Sequence, residues 1–264
     1  MTTAVVETDI GWVGLATSLV FVLIAVGISW AKALGIERSI LWAATRALVQ
    51  LLAVGAVLAF VLSTDRPVGV AVAWVVVMVV VATITVRWRV PEVPGIAVVA
   101  FCAIGSAAAV GLLVMVGLQI FPFEGRTVVP LAGMIIGNAL ASTVVVCRRL
   151  LAEVADKRLE IEARLALGQA GPDALRPYTR SALRTALLPA IERTKVVGLV
   201  ALPGAMTGLI LAGVPPTDAV KVQAAVMFEL LGAEAAAVSV VSLGLAKRLL
   251  THDHRLVRLS RTTT

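Results

Sequence analysis

Val196–Pro216 reads VVGLVALPGAMTGLILAGVPP, and no charge falls between Lys195 and Asp218. Those roughly 22 uncharged positions, at about 1.5 Å each, can cross a hydrocarbon layer about 30 Å thick. Inside the run stands Leu202-Pro203-Gly204. Pro203 removes a backbone hydrogen bond and Gly204 loosens the chain beside it. In a bilayer such a break survives only where neighbouring helices or a wet cavity satisfy the freed carbonyls. The reading is therefore a membrane span that is broken on purpose or simply kinked. A long basic segment, residues 148–195, leads directly into it.

Outward from that stretch, the composition sets the class. The chain has 264 residues, 59% of them hydrophobic, with a mean hydropathy of +0.99, which excludes an ordinary soluble domain. The net charge of +7 does not call for nucleic acid, because the basic residues lie between apolar runs, where orientation signals sit. Cys102 and Cys147 both fall in apolar runs and give no disulfide or CxxC framework. The first apolar run is preceded by Glu7 and Asp9 and by no Lys or Arg, unlike a cleavable signal peptide, so it is expected to be retained.

An all-α polytopic membrane protein with about seven transmembrane helices follows. The expected spans are Ile10–Ala31, Ser39–Ser63, Pro67–Val86, Val93–Phe123, Thr127–Cys147, Val196–Val214 and Lys221–Ala246. The fourth is longer than one upright helix needs and must tilt, kink or end early. With the N-terminus outside and the C-terminus cytosolic, only Arg66, Arg126 and Lys221 of the 23 basic residues are left on the outer side. The whole chain, 1–264, reads as a single transmembrane domain with a cytosolic arm at 148–195 and a cytosolic tail at 249–264.

Within the arm, Leu150, Leu151, Val154, Ile161 and Leu165 recur at helical spacing, so the fifth span is expected to continue as one helix to Gln169. Glu153 with Lys157, and Glu160 with Arg164, form i,i+4 pairs in the favourable order. Gly168 and Gly171-Pro172 end that helix, and Pro172-Asp173 opens a second. Arg176, Arg180 and Arg184 make a basic stripe on it, suited to anionic lipid or to a soluble partner.

The run ARLALGQAGPDALRPYTRSALRTALLPAIERTKVVGLVALPGAMTGLILAG resembles the FetB/YbbM-like permeases, the UPF0014 membrane proteins, to which plant aluminium-tolerance permeases are related. GMIIGN at 133–138, RALVQLLAVG at 46–55 and VQAAVMFELLGA at 222–233 resemble the same family, in the same order. Where that family often carries a methionine pair after the proline-glycine, this chain has Ala205-Met206. The resemblance implies the permease half of an ABC transporter in the inner (plasma) membrane, with bacterial members linked to iron export. It also implies a homodimer working with a separate ABC ATPase subunit. The sequence has no GxxxxGK[ST] and no Gly-Lys pair, so this chain is expected to bind no cofactor itself, with ATP held by the partner, and to be no enzyme. No nucleic-acid partner is expected. Leu165, Ala166, Leu167, Gly168 and Gln169 look like the coupling element for the ATPase.

Polar groups inside spans are expensive and therefore mark candidate sites. They are Arg46 and Gln50, one turn apart; Asn138, one turn after Met134; and Glu229 and Glu234, joined by Pro203, Gly204 and Met206 at the break. One reading is an ion pair between Arg46 and a glutamate that fixes packing. The other is a cation pathway of carboxylate, amide and thioether donors. Glu229 and Glu234 lie about 140° apart around a helix, so at most one lines a given site. GMIIG and GAMTG are GxxxG patterns that indicate close helix packing. His252-Asp253-His254 could hold a metal but reads as a polar tail. Alternatives to metal export are a lipid or sugar-nucleotide cargo, or a scaffold recruiting a soluble partner.

Overall fold

The computed structural model describes residues 11–63, 67–251 and 255–257. Asp65, Arg66 and the His252-Asp253-His254 run lie outside the described residues. The described chain forms nine helices and no sheet. It divides into two compact units, Met1–Pro67 with Leu211–Gly213, and Val68–Ile210 with Val214–Thr264.

The first unit is a helical hairpin of α1 (Trp12–Ala31) and α2 (Glu37–Ser63). Gly35, at φ +69, turns the chain between them, and Ser29 Oγ donates to Glu37 Oε1 at 2.7 Å across the turn. Both helices are apolar around most of their circumference and both are largely exposed, as suits helices whose solvent is lipid.

The second unit contains α3 (Pro67–Arg89), α4 (Ile96–Gly117), α5 (Gly125–Asp156), α6 (Arg158–Ala166), α7 (Gly171–Val196), α8 (Gly204–Leu211) and α9 (Pro216–Arg248). Its core is built where small residues let helices approach. Gly95 sits beside Arg248, Gly244 beside Val99, and Gly111 beside Glu229, so α4 and α9 run antiparallel. Gly95, at φ +69, has no room for a Cβ because the Arg248 guanidinium occupies that space and donates to the Pro94 carbonyl. α4 and α5 are also antiparallel, since Gly111 meets Ile135 while Arg148 reaches back to Glu92 at 2.6 Å and to the Arg89 carbonyl. α3 joins through side chains, Val79 against Gly105 and Met78 against Gly133. Of the two GxxxG patterns, only Gly133 faces a neighbour; Gly137, Gly204 and Gly208 have open space around them.

Because α5 and α9 are each antiparallel to α4, they run in the same direction, and the chain between them must travel back. α7 makes that return. Ser181 Oγ donates to Glu153 Oε1 at 2.6 Å, and twelve residues on Arg193 reaches Asn138, so α7 runs antiparallel along α5.

Among the described residues, six helices are long and apolar enough to cross a membrane: α1, α2, α3, α4, α5 and α9. Seven continuous spans are not found among them. The sixth expected span, Val196–Val214, is not one helix: α7 ends at Val196, Val197 is extended, Gly198 has φ +92, and helix resumes only at Gly204. α8 has eight residues, about 12 Å, too short to cross alone. The cause is more than a proline kink. The peptide turns on itself, with Gly198 N–H donating to Ala201 O at 2.9 Å and Val200 N–H to Val196 O at 3.1 Å, so local bonds replace the helical ones.

The fifth helix also stops before its expected end at Gln169. α5 ends at Asp156, and the bend at Lys157 turns Ile161 fully into the core, where Leu165 and Tyr178 pack nearby. Burial of Ile161 outweighs the continuity of a straight exposed helix. Glu160 pairs with Arg164 as expected, but Glu153 pairs with Arg149 at 3.1 Å rather than with Lys157. The fourth span ends early, at Gly117.

Candidate functional site

The polar groups of the second unit converge on Glu234, a carboxylate that is only 2% exposed on α9. It accepts a hydrogen bond from Ser142 Oγ of α5 at 2.5 Å and from Arg193 Nη2 of α7 at 2.7 Å. Arg193 Nη1 donates to Asn138 Oδ1 of α5 at 2.6 Å, and Asn138 Nδ2 donates to the Met134 carbonyl at 2.8 Å. Three helices are thus tied by one charge-assisted network at the level where α7 is about to break. The ion-pair partner of Glu234 is Arg193. Arg193 lies on α7, whose N-terminal part is charged and amphipathic, so sequence alone places it with the arm. Only the return of α7 along α5 brings it to the carboxylate.

Arg193 is not consumed by the network. Its side chain remains 55% exposed and lines a cavity of about 230 Å³ together with Pro203, Val197, Met227 and Glu234. The cavity opens against the irregular segment, where Leu199, 95% exposed, and Val200 stand out from the protein. A half-helix end, an exposed guanidinium and a buried carboxylate share this space. The arrangement can neutralise a charged group.

Glu229 faces elsewhere, toward α4. An added Cβ on Gly111 would lie 2.7 Å from Glu229 Oε1, so the carboxylate lies directly on the α4 backbone. Both carboxylate oxygens are buried and have no hydrogen-bond partner among the described residues. Around it lies a mostly apolar groove of about 470 Å³ with Met115, Phe228 and Gly232 in its wall. Glu229 and Glu234 therefore address different faces of α9.

Of the other sequence candidates, Pro203 lines the Arg193 cavity, while Gly204 and Met206 begin α8. Arg46 and Gln50 lie exposed on α2 of the first unit, one turn apart. Ser142 was missed by sequence reasoning. A lone serine in an apolar helix carries no signal until its partner is known.

The corner Leu165–Gln169 joins α6 to α7. Leu165 packs against the core, whereas Leu167 is 88% exposed and Gly168 makes the turn at φ +84. Behind it Arg164 pairs with Glu160 at 2.9 Å and lies 5.9 Å from the centre of the Tyr178 ring. That guanidinium holds the Glu160 carboxyl below its ordinary range, and burial raises the Tyr178 phenol above its own. The corner is a braced turn presenting one apolar side chain. Among the described residues, no three His, Cys, Asp or Glu side chains come together as a ready metal site.

Six apolar helices, a buried polar network among them and a broken return segment define a multi-pass helical membrane protein. The chain belongs to the family described as "Uncharacterised protein family (UPF0014)", whose profile matches residues 12–250. It is 37% identical over 227 residues to the UPF0014 membrane protein STAR2 of Oryza sativa subsp. japonica, covering 86% of this chain and 79% of the relative. It is 34% identical over 223 residues to the protein ALUMINUM SENSITIVE 3 of Arabidopsis thaliana, covering 84% and 81%. With the probable iron export permease protein FetB of Escherichia coli (strain K12) it shares 32% identity over 247 residues, 92% of this chain and 93% of that one. No solved structure matches.

Proposed function

We propose that this chain is the membrane-spanning permease subunit of an ABC transporter in the plasma membrane. Two copies work with a separate ATPase, and the cargo is a metal ion, iron, moved outward. The observation that carries the reading is the path of α7. One helix begins at the exposed Leu167 corner and ends at the Arg193–Glu234 network, beside the break at Val197–Pro203. A displacement imposed on the corner by a nucleotide-driven partner is delivered along that helix to the polar core. The kinship with a probable iron export permease, over nearly the full length of both chains, supports the cargo. Within one chain, Glu229, Glu234 and Asn138 are the oxygen donors placed at depth, and a second copy supplies the same set again.

One observation favours a second cargo class. Arg193 leaves half of its side chain exposed in the cavity, which suits an anionic cargo such as a sugar nucleotide or a lipid phosphate. Co-purification with the ATPase, then turnover in liposomes across iron, other metals and anionic candidates, separates the readings. ATP-dependent movement of iron supports the first, stimulation by an anion alone supports the second, and stable ATPase recruitment without stimulation by any cargo supports a scaffold.

A further inference from the structure

A groove of about 940 Å³ runs between the N-terminal half of α7 and the C-terminal end of α9, far from the Arg193 cavity along the helix. Arg176 and Arg180, one turn apart on α7, form one lip, and Lys247 on α9 faces them from the other. All three are exposed, and none is paired with a described carboxylate. The floor and inner wall are apolar, with Leu183 from α7, Leu243 from α9 and Leu250 from the segment just after α9. Arg184, the third member of the α7 stripe, is not part of the groove. The spacing of the stripe alone does not separate it from the other two; the course of α9 does.

The level of the groove in the fold matters. Lys247 immediately precedes Arg248, which is bonded to the Pro94 carbonyl at the start of α4, and Arg148 at the same end reaches the Arg89 carbonyl at the close of α3. Three membrane-length helices thus begin or end at this depth, where hydrocarbon gives way to headgroups. We propose that the groove binds an anionic phospholipid, its phosphate between Arg176, Arg180 and Lys247 and its acyl chain along Leu183 and Leu243. Three cations at the mouth, none paired with a described carboxylate, suit an anion, and guanidinium forks suit phosphate oxygens. The apolar wall leading from those cations into the spans needs a hydrocarbon tail, which a free anion lacks. Of the side-chain hydroxyls in the groove, Thr179, Ser239 and Ser242 already donate to backbone carbonyls of their own helices, and Thr251 Oγ1 accepts from the Arg255 N–H. Recognition therefore rests on the cations, and basic pockets of this kind between helices suit lipid headgroups.

The test uses the full-length protein in nanodiscs of phosphatidylcholine, with and without phosphatidylglycerol, followed by extraction and native mass spectrometry of retained lipid. The protein is expected to retain phosphatidylglycerol and not phosphatidylcholine. Each of Arg176→Gln, Arg180→Gln and Lys247→Gln is expected to weaken retention about fivefold, and the triple variant roughly a hundredfold. Arg184→Gln, equal in charge removed, is expected to leave retention unchanged. If the triple variant fails to fold, the three single variants against Arg184→Gln carry the same comparison. Undiminished retention in the variants overturns the site, and an equal loss in Arg184→Gln reduces it to general surface attraction. Binding of inorganic phosphate that depends on the same three residues, without lipid retention, overturns the lipid assignment.

Discussion

Glu234 and Glu229 stand five residues apart on α9 and meet opposite environments. Glu234 has two donors, Ser142 and Arg193; Glu229 lies on the Gly111 backbone with none among the described residues. Glu234→Gln keeps the size of the side chain and removes the charge that Arg193 is bonded to. It is expected to cost about 1.5–3 kcal/mol of stability, the value of a hydrogen bond to a charged group. Adding Arg193→Gln should recover part of that loss, and thermal unfolding of both single variants and the double variant in one detergent measures the coupling. Full additivity of the two losses would show that the pair is not coupled. Glu229→Gln is expected to be folded and no less stable, because it removes a buried charge that has no donor to lose. If Glu229 serves cargo, that variant assembles with its ATPase and loses cargo-stimulated turnover, while wild-type stimulation would remove it from the pathway. Gly111→Ala should cost about 1–3 kcal/mol by overpacking, since its new methyl meets both Glu229 and Ile135. The two acids were legible in the sequence as costly residues in an apolar helix. Their partners were not, because only the packing of helices distant in sequence decides which cation or backbone meets each carboxylate.

At the scale of the element, α7 carries most of what the sequence could not reveal. Long, largely apolar runs made α1 to α5 and α9 legible despite Arg46, Glu229 and Glu234, since hydropathy and length alone define such helices in a bilayer. α7 is written differently. Arg176, Arg180, Arg184, Arg193 and Lys195 give it the look of a cytosolic arm along its whole length. Its alanines Ala174, Ala182, Ala186 and Ala190 nevertheless form a buried seam that lets it lie against α5 and α9. The apolar run after Lys195 then suggests a span where the chain instead turns on itself. Gly198, which takes positive φ, and Pro203-Gly204 were the available signals, and only the proline-glycine pair was used. If α7 transmits force from the corner, a charge at its exposed apolar tip should stop transmission without touching the core. Leu167→Glu is expected to leave thermal stability within about 0.5 kcal/mol of wild type. It should also abolish co-purification of the ATPase or uncouple its turnover. Unchanged capture and unchanged turnover would leave the corner without a coupling role.

For the whole molecule, the decisive feature is that α5 and α9 run in the same direction. Two parallel membrane helices joined by one connection require that connection to cross as well. We propose that α7, the irregular Val197–Pro203 segment and α8 make the crossing together, although none of them is a complete span. The loop at Glu124, before α5, and the turn at Asp218, at the start of α9, must then lie on one side of the membrane, and the α6–α7 corner on the other. From the distribution of basic residues, the corner is expected in the cytosol and Glu124 outside. Single cysteines at Glu124, Asp218 and Leu167, with Cys102 and Cys147 replaced by alanine and serine, test this with a membrane-impermeant thiol reagent on intact cells. Labelling is expected at Glu124→Cys and Asp218→Cys, and at Leu167→Cys only after the cells are opened. Protection of Asp218→Cys alongside labelling of Glu124→Cys would mean that the broken segment re-enters without crossing. The parallel packing of α5 and α9 would then have to be abandoned, and with it the route by which α7 reaches the centre of the protein.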